Sequence, residues 1–119
     1  MYGLPSSVDL GFLSGRTLGA VCVGEHSLVL DFDKSVSITV ESAVGCEDDT
    51  GTVQRYDDFR QAAGMLFAFL SQDVRVAERA SQTTLVLEFE NGKRLEIYDD
   101  SEQFESFVIR SEGEVKIVV

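Results

Sequence analysis

Hydrophobic and polar residues alternate along most of this chain, which is the pattern of strands with one buried face. Positions 28, 30 and 32 are Leu, Leu and Phe, and two Asp follow the opposite phase at 31 and 33. Positions 85, 87 and 89 are again Leu, Leu and Phe, with Glu at 88 and 90. The pattern predicts strands over Thr17–Val23, Ser27–Asp33, Val36–Glu41, Val74–Arg79, Thr83–Glu90, Lys93–Tyr98, Ser106–Arg110 and Val115–Val119.

The two halves of the chain resemble each other. A shift of 57 positions, without a gap, places Phe12-Leu13-Ser14 on Phe69-Leu70-Ser71 and segment 28–33 on segment 85–90. We interpret this as an internal duplication, with repeats at about 12–42 and 69–99. The length of 119 residues predicts one domain over residues 1–119.

One helix is predicted between the repeats. Asp57 and Asp58 are suited to the N-cap and first turn, so the predicted helix covers 57–70 and follows an acidic loop over Gly45–Gln54. Its segment 62–70 is apolar on every side, which predicts burial of more than one face. A short helical turn is predicted over Ser101–Phe104. The expected class is therefore α+β: a mainly antiparallel sheet of two repeated three-stranded meanders plus a C-terminal hairpin, with one central helix.

Acidic residues outnumber basic ones by 21 to 10, which gives a net charge of −11 spread over both halves. This charge opposes binding to nucleic acid and to anionic membranes, because both are bound mainly through positive charge. It favours either solubility alone or a basic protein partner, whose association opposite charge accelerates. We see no signal peptide and no apolar run of membrane-spanning length, so a cytoplasmic protein is expected.

Residues with catalytic or metal-binding chemistry are few. His26 is the only histidine and falls in a predicted turn, and neither Cys22 nor Cys46 belongs to a CxxC motif. Segment 46–51 is spaced like a calcium loop but begins with a cysteine where an oxygen ligand is needed. We therefore predict no enzyme activity, no metal and no cofactor.

The candidate partner-binding residues are acidic and aromatic. If the two meanders pair into one sheet, carboxylates on the outward phase form one acidic face: Asp31, Asp33, Glu41, Glu88, Glu90 and Glu96. A second patch near the C-terminus combines aromatic and acidic side chains: Tyr98, Asp99, Asp100, Glu102 and Phe104. Aromatic residues ringed by charge are typical of binding hot spots.

Short motifs also suggest a family. At Leu13-Ser14-Gly15-Arg16-Thr17, at 28–33, at Leu85–Gly92 and at Phe104-Glu105-Ser106-Phe107, the chain resembles a small bacterial family of uncharacterised function. The first hairpin departs from its pattern, since Asp33-Lys34-Ser35 stands where Asp-Gly is expected. In size and charge the chain resembles immunity proteins of contact-dependent and polymorphic toxin systems. That resemblance implies a cognate basic toxin domain, often a nuclease, as partner, and no catalytic residue.

Two other functions are compatible with the sequence. The apolar helix favours a homodimeric structural or adaptor module. A pocket between the repeats would favour a small-ligand-binding or enzymatic domain.

Overall fold

The computed structural model describes residues 4, 9–100, 106–112 and 114–119, which form ten strands, one α-helix and two short 3-10 helices. The strands are β1 Leu18–Val23, β2 Leu28–Phe32, β3 Val36–Val40, β4 Ala43–Glu47, β5 Val53–Tyr56, β6 Val74–Ser81, β7 Thr84–Phe89, β8 Arg94–Tyr98, β9 Phe107–Ser111 and β10 Glu114–Val118. The helix, α1, is Phe59–Leu66, and the 3-10 helices are Gly11–Leu13 and Phe67–Phe69. The predicted α+β class with two meanders, a C-terminal hairpin and one central helix is confirmed. The predicted turn over Ser101–Phe104 lies outside the described residues.

The ten strands form two antiparallel sheets of five strands each. The first sheet has the order β1-β2-β3-β9-β10, and the second has the order β5-β4-β8-β7-β6. Each meander thus occupies its own sheet, and the hairpin that follows it in sequence crosses to the other sheet. Hairpin β4–β5 pairs with β8, and hairpin β9–β10 pairs with β3. The meanders therefore do not pair into one sheet, and the single acidic face that would have followed from such pairing is not formed.

An approximate two-fold symmetry relates the beginnings of the two meanders. The Gly15 amide donates to the Val74 carbonyl, and the Ser71 amide donates to the Leu18 carbonyl, both at 2.8 Å. Gly15 and Ser71 both have left-handed backbone, with φ of 82° and 65°. The same hydrogen bond is therefore made once from each half, at the place where β1 meets β6.

The structural register of the repeat differs from the ungapped alignment. Equivalent residues are 56 apart before the first hairpin turn, as Gly15 and Ser71 are, and 57 apart after it, as Phe32 and Phe89 are. The difference arises because the ladder between β6 and β7 contains an extra irregularity near Ser81. Leu13 is thus equivalent to Phe69, and both are fully buried.

The prediction of a loop over Gly45–Gln54 is wrong, since β4 and β5 form a hairpin there. Only β4 has an apolar inner face, with Val44 and Cys46 fully buried, and β5 has no buried residue. So short a hairpin is marginal by itself. Pairing of β4 with β8, which is distant in sequence, completes the strand ladder.

Helix α1 is shorter and less buried than predicted. Asp58 caps it by accepting a hydrogen bond from the Arg60 amide at 3.0 Å. One face is buried through Phe59, Ala62 and Leu66, while Phe67 beyond the helix end is 57% exposed. Within this chain the helix is therefore buried on one face, and burial of a second face at a dimer contact stays a prediction. No described helix has the length and apolar character needed to cross a membrane.

The inner faces of both sheets contribute to one hydrophobic core. Leu30 and Leu87 are equivalent in the two meanders and are both fully buried. The Phe69 and Phe89 rings pack with their centroids 4.9 Å apart. The apolar residues of each meander strand therefore point into this core. The alternate residues of the same strands point to the outer faces of the two sheets, and candidate interaction sites lie on those faces.

Candidate interaction surfaces

The outer face of the second sheet is covered by pairs of opposite charge. Glu88 pairs with Arg75 and is half-buried, while Glu47 accepts from Arg94 Nε at 2.8 Å. The Lys93 ammonium lies 2.6 Å from Asp49. The predicted partner-binding residue Glu88 is therefore already engaged with a base in the folded chain.

Tyr98 lies on the same face at the end of the central strand β8, and its ring covers Gly45. The Arg55 guanidinium stacks over the ring at 4.9 Å from its centroid, in cation–π geometry. The Tyr98 hydroxyl donates to Glu96 at 2.9 Å. Burial, together with the Glu96 hydrogen bond, raises the pKa of Tyr98 to about 12, so the phenol remains neutral. Tyr98 and Glu96 thus form an internally bonded unit on this face.

The predicted C-terminal patch is only partly on the surface. Asp100 is exposed but lies 2.5 Å from Arg55, which also contacts Asp57 at 3.0 Å. Asp99 is 1% exposed and accepts from the Ser106 hydroxyl at 2.7 Å, so its prediction as a surface binding residue is wrong. It directly follows β8, and its amide donates to the Thr83 carbonyl at 2.9 Å. Glu102 and Phe104 lie outside the described residues.

Three acids gather where β1 meets β6, and we call Asp33, Asp73 and Glu90 the axis cluster. Asp33 accepts from the Thr17 amide at 2.9 Å, and the Thr17 hydroxyl donates to Asp73 at 2.5 Å. The Glu90 amide donates to the Asp73 carbonyl at 2.9 Å. Each of the three side chains is exposed, and none forms an ion pair with a described residue.

The axis cluster contains two predicted residues and one that the sequence interpretation missed. Asp33 and Glu90 are equivalent in the two meanders, and each closes the same amide contact with β1 or β6. Asp73 is equivalent to Thr17, the residue that Asp33 contacts, when the halves are shifted by 56 residues. The ungapped alignment used a shift of 57, which does not match these two residues, so it gave no reason to group Asp73 with Asp33. Glu41 lies elsewhere, exposed after β3, with its amide bonded to the Ser106 carbonyl at 2.8 Å.

The outer face of the first sheet carries few charges. Strand pairing aligns two rows of outward residues across all five strands. The first row is Cys22, Val29, Thr39, Val108 and Val118, and the second is Ala20, Asp31, Ser37, Arg110 and Val115. The two rows together contain one acid and one base. Asp31 therefore belongs to a nearly uncharged face, which contradicts its prediction as part of a broad acidic surface.

Groups with reactive chemistry have structural surroundings. Burial raises the pKa of the Cys46 thiol to about 12, which disfavours the nucleophilic thiolate. The His26 side chain is 89% exposed in the turn after β1. Asp48 accepts from the Thr50 hydroxyl at 2.6 Å and the Thr52 amide at 3.0 Å, and these bonds lower its pKa to about 2. Asp48 thus closes the β4–β5 hairpin, and the described residues contain no metal-binding group of three side chains.

An open cleft of about 380 Å³ lies beside β10 and is lined by Asp9, Phe12, Lys116 and Ile117. The cleft is at the edge of the first sheet, between the last strand and the segment that contains Asp9 and Phe12. The four lining residues bring together one acid and one base with two apolar side chains.

Comparison with known proteins places the chain in a family without an assigned activity. Residues 11–119 match the family of unknown function DUF6188, so the chain belongs to that family. No curated protein and no solved structure matches it.

Proposed function

We propose that this protein is a toxin-immunity inhibitor that binds and neutralises a basic bacterial toxin domain through acidic surface. The net charge of −11 supports a basic partner over an acidic one. A nuclease is the favoured class of toxin, because its active-site cleft must attract a phosphate backbone. No residue of the inhibitor is assigned a catalytic role.

The axis cluster is the favoured contact because its carboxylates have no described basic partner. Binding a base to Glu88 or Asp100 would first require the loss of the ion pair with Arg75 or Arg55. Asp33, Asp73 and Glu90 can approach a cation without that loss. This contrast between occupied and unoccupied carboxylates is the observation that carries the proposal.

The inhibitor would act by occupying the position of nucleic-acid phosphate. Carboxylates aimed into a basic cleft accelerate association, and this acceleration falls as salt screens the charges. We infer that the complex forms in the cytoplasm, since Cys22 and Cys46 are both free thiols, as is usual in a reducing compartment.

The first test is co-expression with any toxin-like domain whose gene adjoins the gene for this chain, with cell survival and co-purification as readouts. Survival together with a stoichiometric complex would support the proposal. Loss of viability with no complex would overturn the immunity function for that pair.

The contact itself is tested with a matched pair of charge reversals. Glu90→Lys in the axis cluster should slow association at least tenfold at low salt, because it places like charges together. Glu25→Lys makes the same charge change in the exposed β1–β2 turn and should have a much smaller effect. Asp33→Asn, which keeps an oxygen for the Thr17 amide, separates loss of charge from loss of the fold. Equal effects of Glu90→Lys and Glu25→Lys would reject the axis cluster as the contact.

A further inference from the structure

The outer face of the first sheet is nearly neutral in a chain whose net charge is −11. Outward positions of an exposed sheet usually carry polar or charged residues. Here Val29 and Val118 are half-buried on the outward phase and Val115 is 53% exposed, whereas Val108 is already buried at 7% exposure and offers little surface. The face is therefore suited to contact with another protein surface, and Asp33 of the axis cluster borders it at the end of β2.

The two charges on this face are placed symmetrically about its central strand. Ser37 on β3 pairs with Asp31 on one side and with Arg110 on the other. Strand β3 is the middle strand of the five. Asp31 and Arg110 are thus one strand away from the centre, in the same row and on opposite sides.

This arrangement makes the face complementary to itself. Consider two copies whose first sheets face each other, related by a two-fold axis that runs between them parallel to β3. This rotation places β2 of one copy opposite β9 of the other. Each row of one copy then lies opposite the same row of the other copy. Asp31 then faces Arg110 of the second copy, and Arg110 faces Asp31 of the second copy. In the same dimer the uncharged residues of the two rows contact the corresponding rows of the second copy, and Thr39 lies near the two-fold axis.

We propose that the outer face of the first sheet is a homodimer contact, in which two copies pack face to face about an axis along β3. Two sheets packed in this way lie about 10 Å apart with their strands nearly aligned. The partner is a second copy because one acid and one base in one row match that same pair after a two-fold rotation. The outer face of the second sheet differs, since most of its charges, such as Glu88 with Arg75 and Glu47 with Arg94, are already paired within the chain.

The size of the face sets the strength of the dimer. Five strands spaced about 4.8 Å apart and five residues of about 3.3 Å each give a flat area of about 400 Å² per copy. Stable complexes commonly bury about 800 Å² per partner. A weak, concentration-dependent dimer is therefore expected, and the net repulsion between copies requires an ionic strength near 0.15 M, where the screening length is about 8 Å.

The test is a charge swap on the full chain, with mass measured by sedimentation equilibrium over a wide concentration range. The wild type should move from 13.1 kDa toward twice that mass as concentration rises. Asp31→Arg alone and Arg110→Asp alone should each weaken dimerisation about tenfold or more, because each opposes like charges across the axis twice. The double variant should regain the wild-type dissociation constant.

An equimolar mixture of the two single variants provides the sharpest readout, since both contacts between them are again opposite in charge. Native mass spectrometry distinguishes this mixed dimer from either homodimer. The controls are Glu78→Arg on the outer face of the second sheet and Lys34→Asp in the β2–β3 turn, which make the same charge changes at exposed positions outside the two rows and should leave the dissociation constant within about threefold.

A wild type that stays at 13.1 kDa into the millimolar range would overturn the proposal. A double variant that dimerises no better than the single ones would overturn it as well. Circular dichroism of each variant identifies any that fail to fold. Dimer formation is measured on this chain alone, without a toxin domain, so these results are independent of partner binding.

Discussion

The two sheets have equivalent positions on their outer faces, and these positions carry different chemistry. One row across the first sheet is Cys22, Val29, Thr39, Val108 and Val118. The equivalent row across the second sheet is Glu78, Val86, Glu96, Gly45 and Arg55. The first row is uncharged, whereas the second contains two acids and one base.

The difference shows which constraints the fold imposes. Inner positions such as Leu30 and Leu87 remain alike because both fill one core, where a change of volume is costly. Outer positions are free of that constraint and can serve separate contacts. The second sheet pairs most of its charges within the chain, whereas the first presents a nearly uncharged outer face.

The largest expected effect tests the similarity of the inner faces. Leu30→Ala and Leu87→Ala should each lower the free energy of unfolding by about 2–5 kcal/mol, because each leaves a cavity at a fully buried, equivalent position. Urea unfolding followed by fluorescence and circular dichroism measures both. Values that differ by more than about 2 kcal/mol, or two separate transitions, would mean that the sheets do not contribute equally to one core.

The next effect tests the tight packing that only the second sheet has on its outer face. A Cβ at Gly45 would lie 2.8 Å from Val53 Cγ1 and would overlap the Tyr98 hydroxyl. Gly45→Ala should therefore lower the free energy of unfolding by about 1–3 kcal/mol by displacing the Tyr98 ring.

The control for Gly45 is Gly64→Ala in α1, where a Cβ would have no neighbour within 4 Å. Alanine is the better helix former, so this change should raise the free energy of unfolding by up to about 1 kcal/mol. A neutral result for Gly45→Ala would show that the Tyr98 ring moves without cost and that its stacking contributes little.

A smaller change in stability is expected from substitutions in the β2–β3 and β7–β8 turns, which differ in their left-handed residues. Lys34 and Ser35 both have φ of 58°, whereas the second turn uses Gly92 at 85°. Two successive left-handed residues define a type I′ turn, which prefers Asn-Gly. The double change Lys34→Asn and Ser35→Gly should raise the free energy of unfolding by about 0.5–1 kcal/mol, and Gly92→Ala should lower it by about 1 kcal/mol. Thermal denaturation of both variants measures this, and a gain in the second turn with none in the first would contradict it.

The smallest effect depends on pH and concerns the β4–β5 hairpin of the second sheet. Because the folded-state pKa of Asp48 is lowered to about 2 from 3.8, its contribution to stability is present above pH 4. That contribution is lost as pH falls toward 2. The difference in melting temperature between wild type and Asp48→Ala should shrink over that range. Asp49→Ala removes only an exposed ion pair and should cause little change near neutral pH. A difference for Asp48→Ala that does not vary with pH would contradict the assigned role.

Much of the strand content was predictable because it depends on local alternation. All eight predicted strands are present with ends within one or two residues, since the apolar phase of each marks its buried face. Strands β4 and β5 were missed because Gly45 and the exposed residues of β5 weaken the local pattern. Their pairing depends on β8, far away in sequence.

The candidate surfaces were less predictable than the strands. The outward phase of Asp31, Glu88 and Glu96 follows from alternation, but the sheet to which each belongs does not. Whether a carboxylate such as Asp100 has a basic neighbour also depends on residues brought close only by folding, here Arg55. The axis cluster required both the sheet crossing and the 56-residue register.

The sequence by itself determined the strand faces, the two meanders, the helix cap at Asp58 and the acidic balance of the chain, because each depends on neighbouring residues or on composition. Tertiary structure decided that the meanders lie in different sheets, that Asp99 is interior and that Asp31 shares a row with Arg110. These features depend on which strands pair across long separations, a choice made by burial of a common core. Local patterns describe which face of a strand is apolar, but only the folded core determines what the opposite face meets.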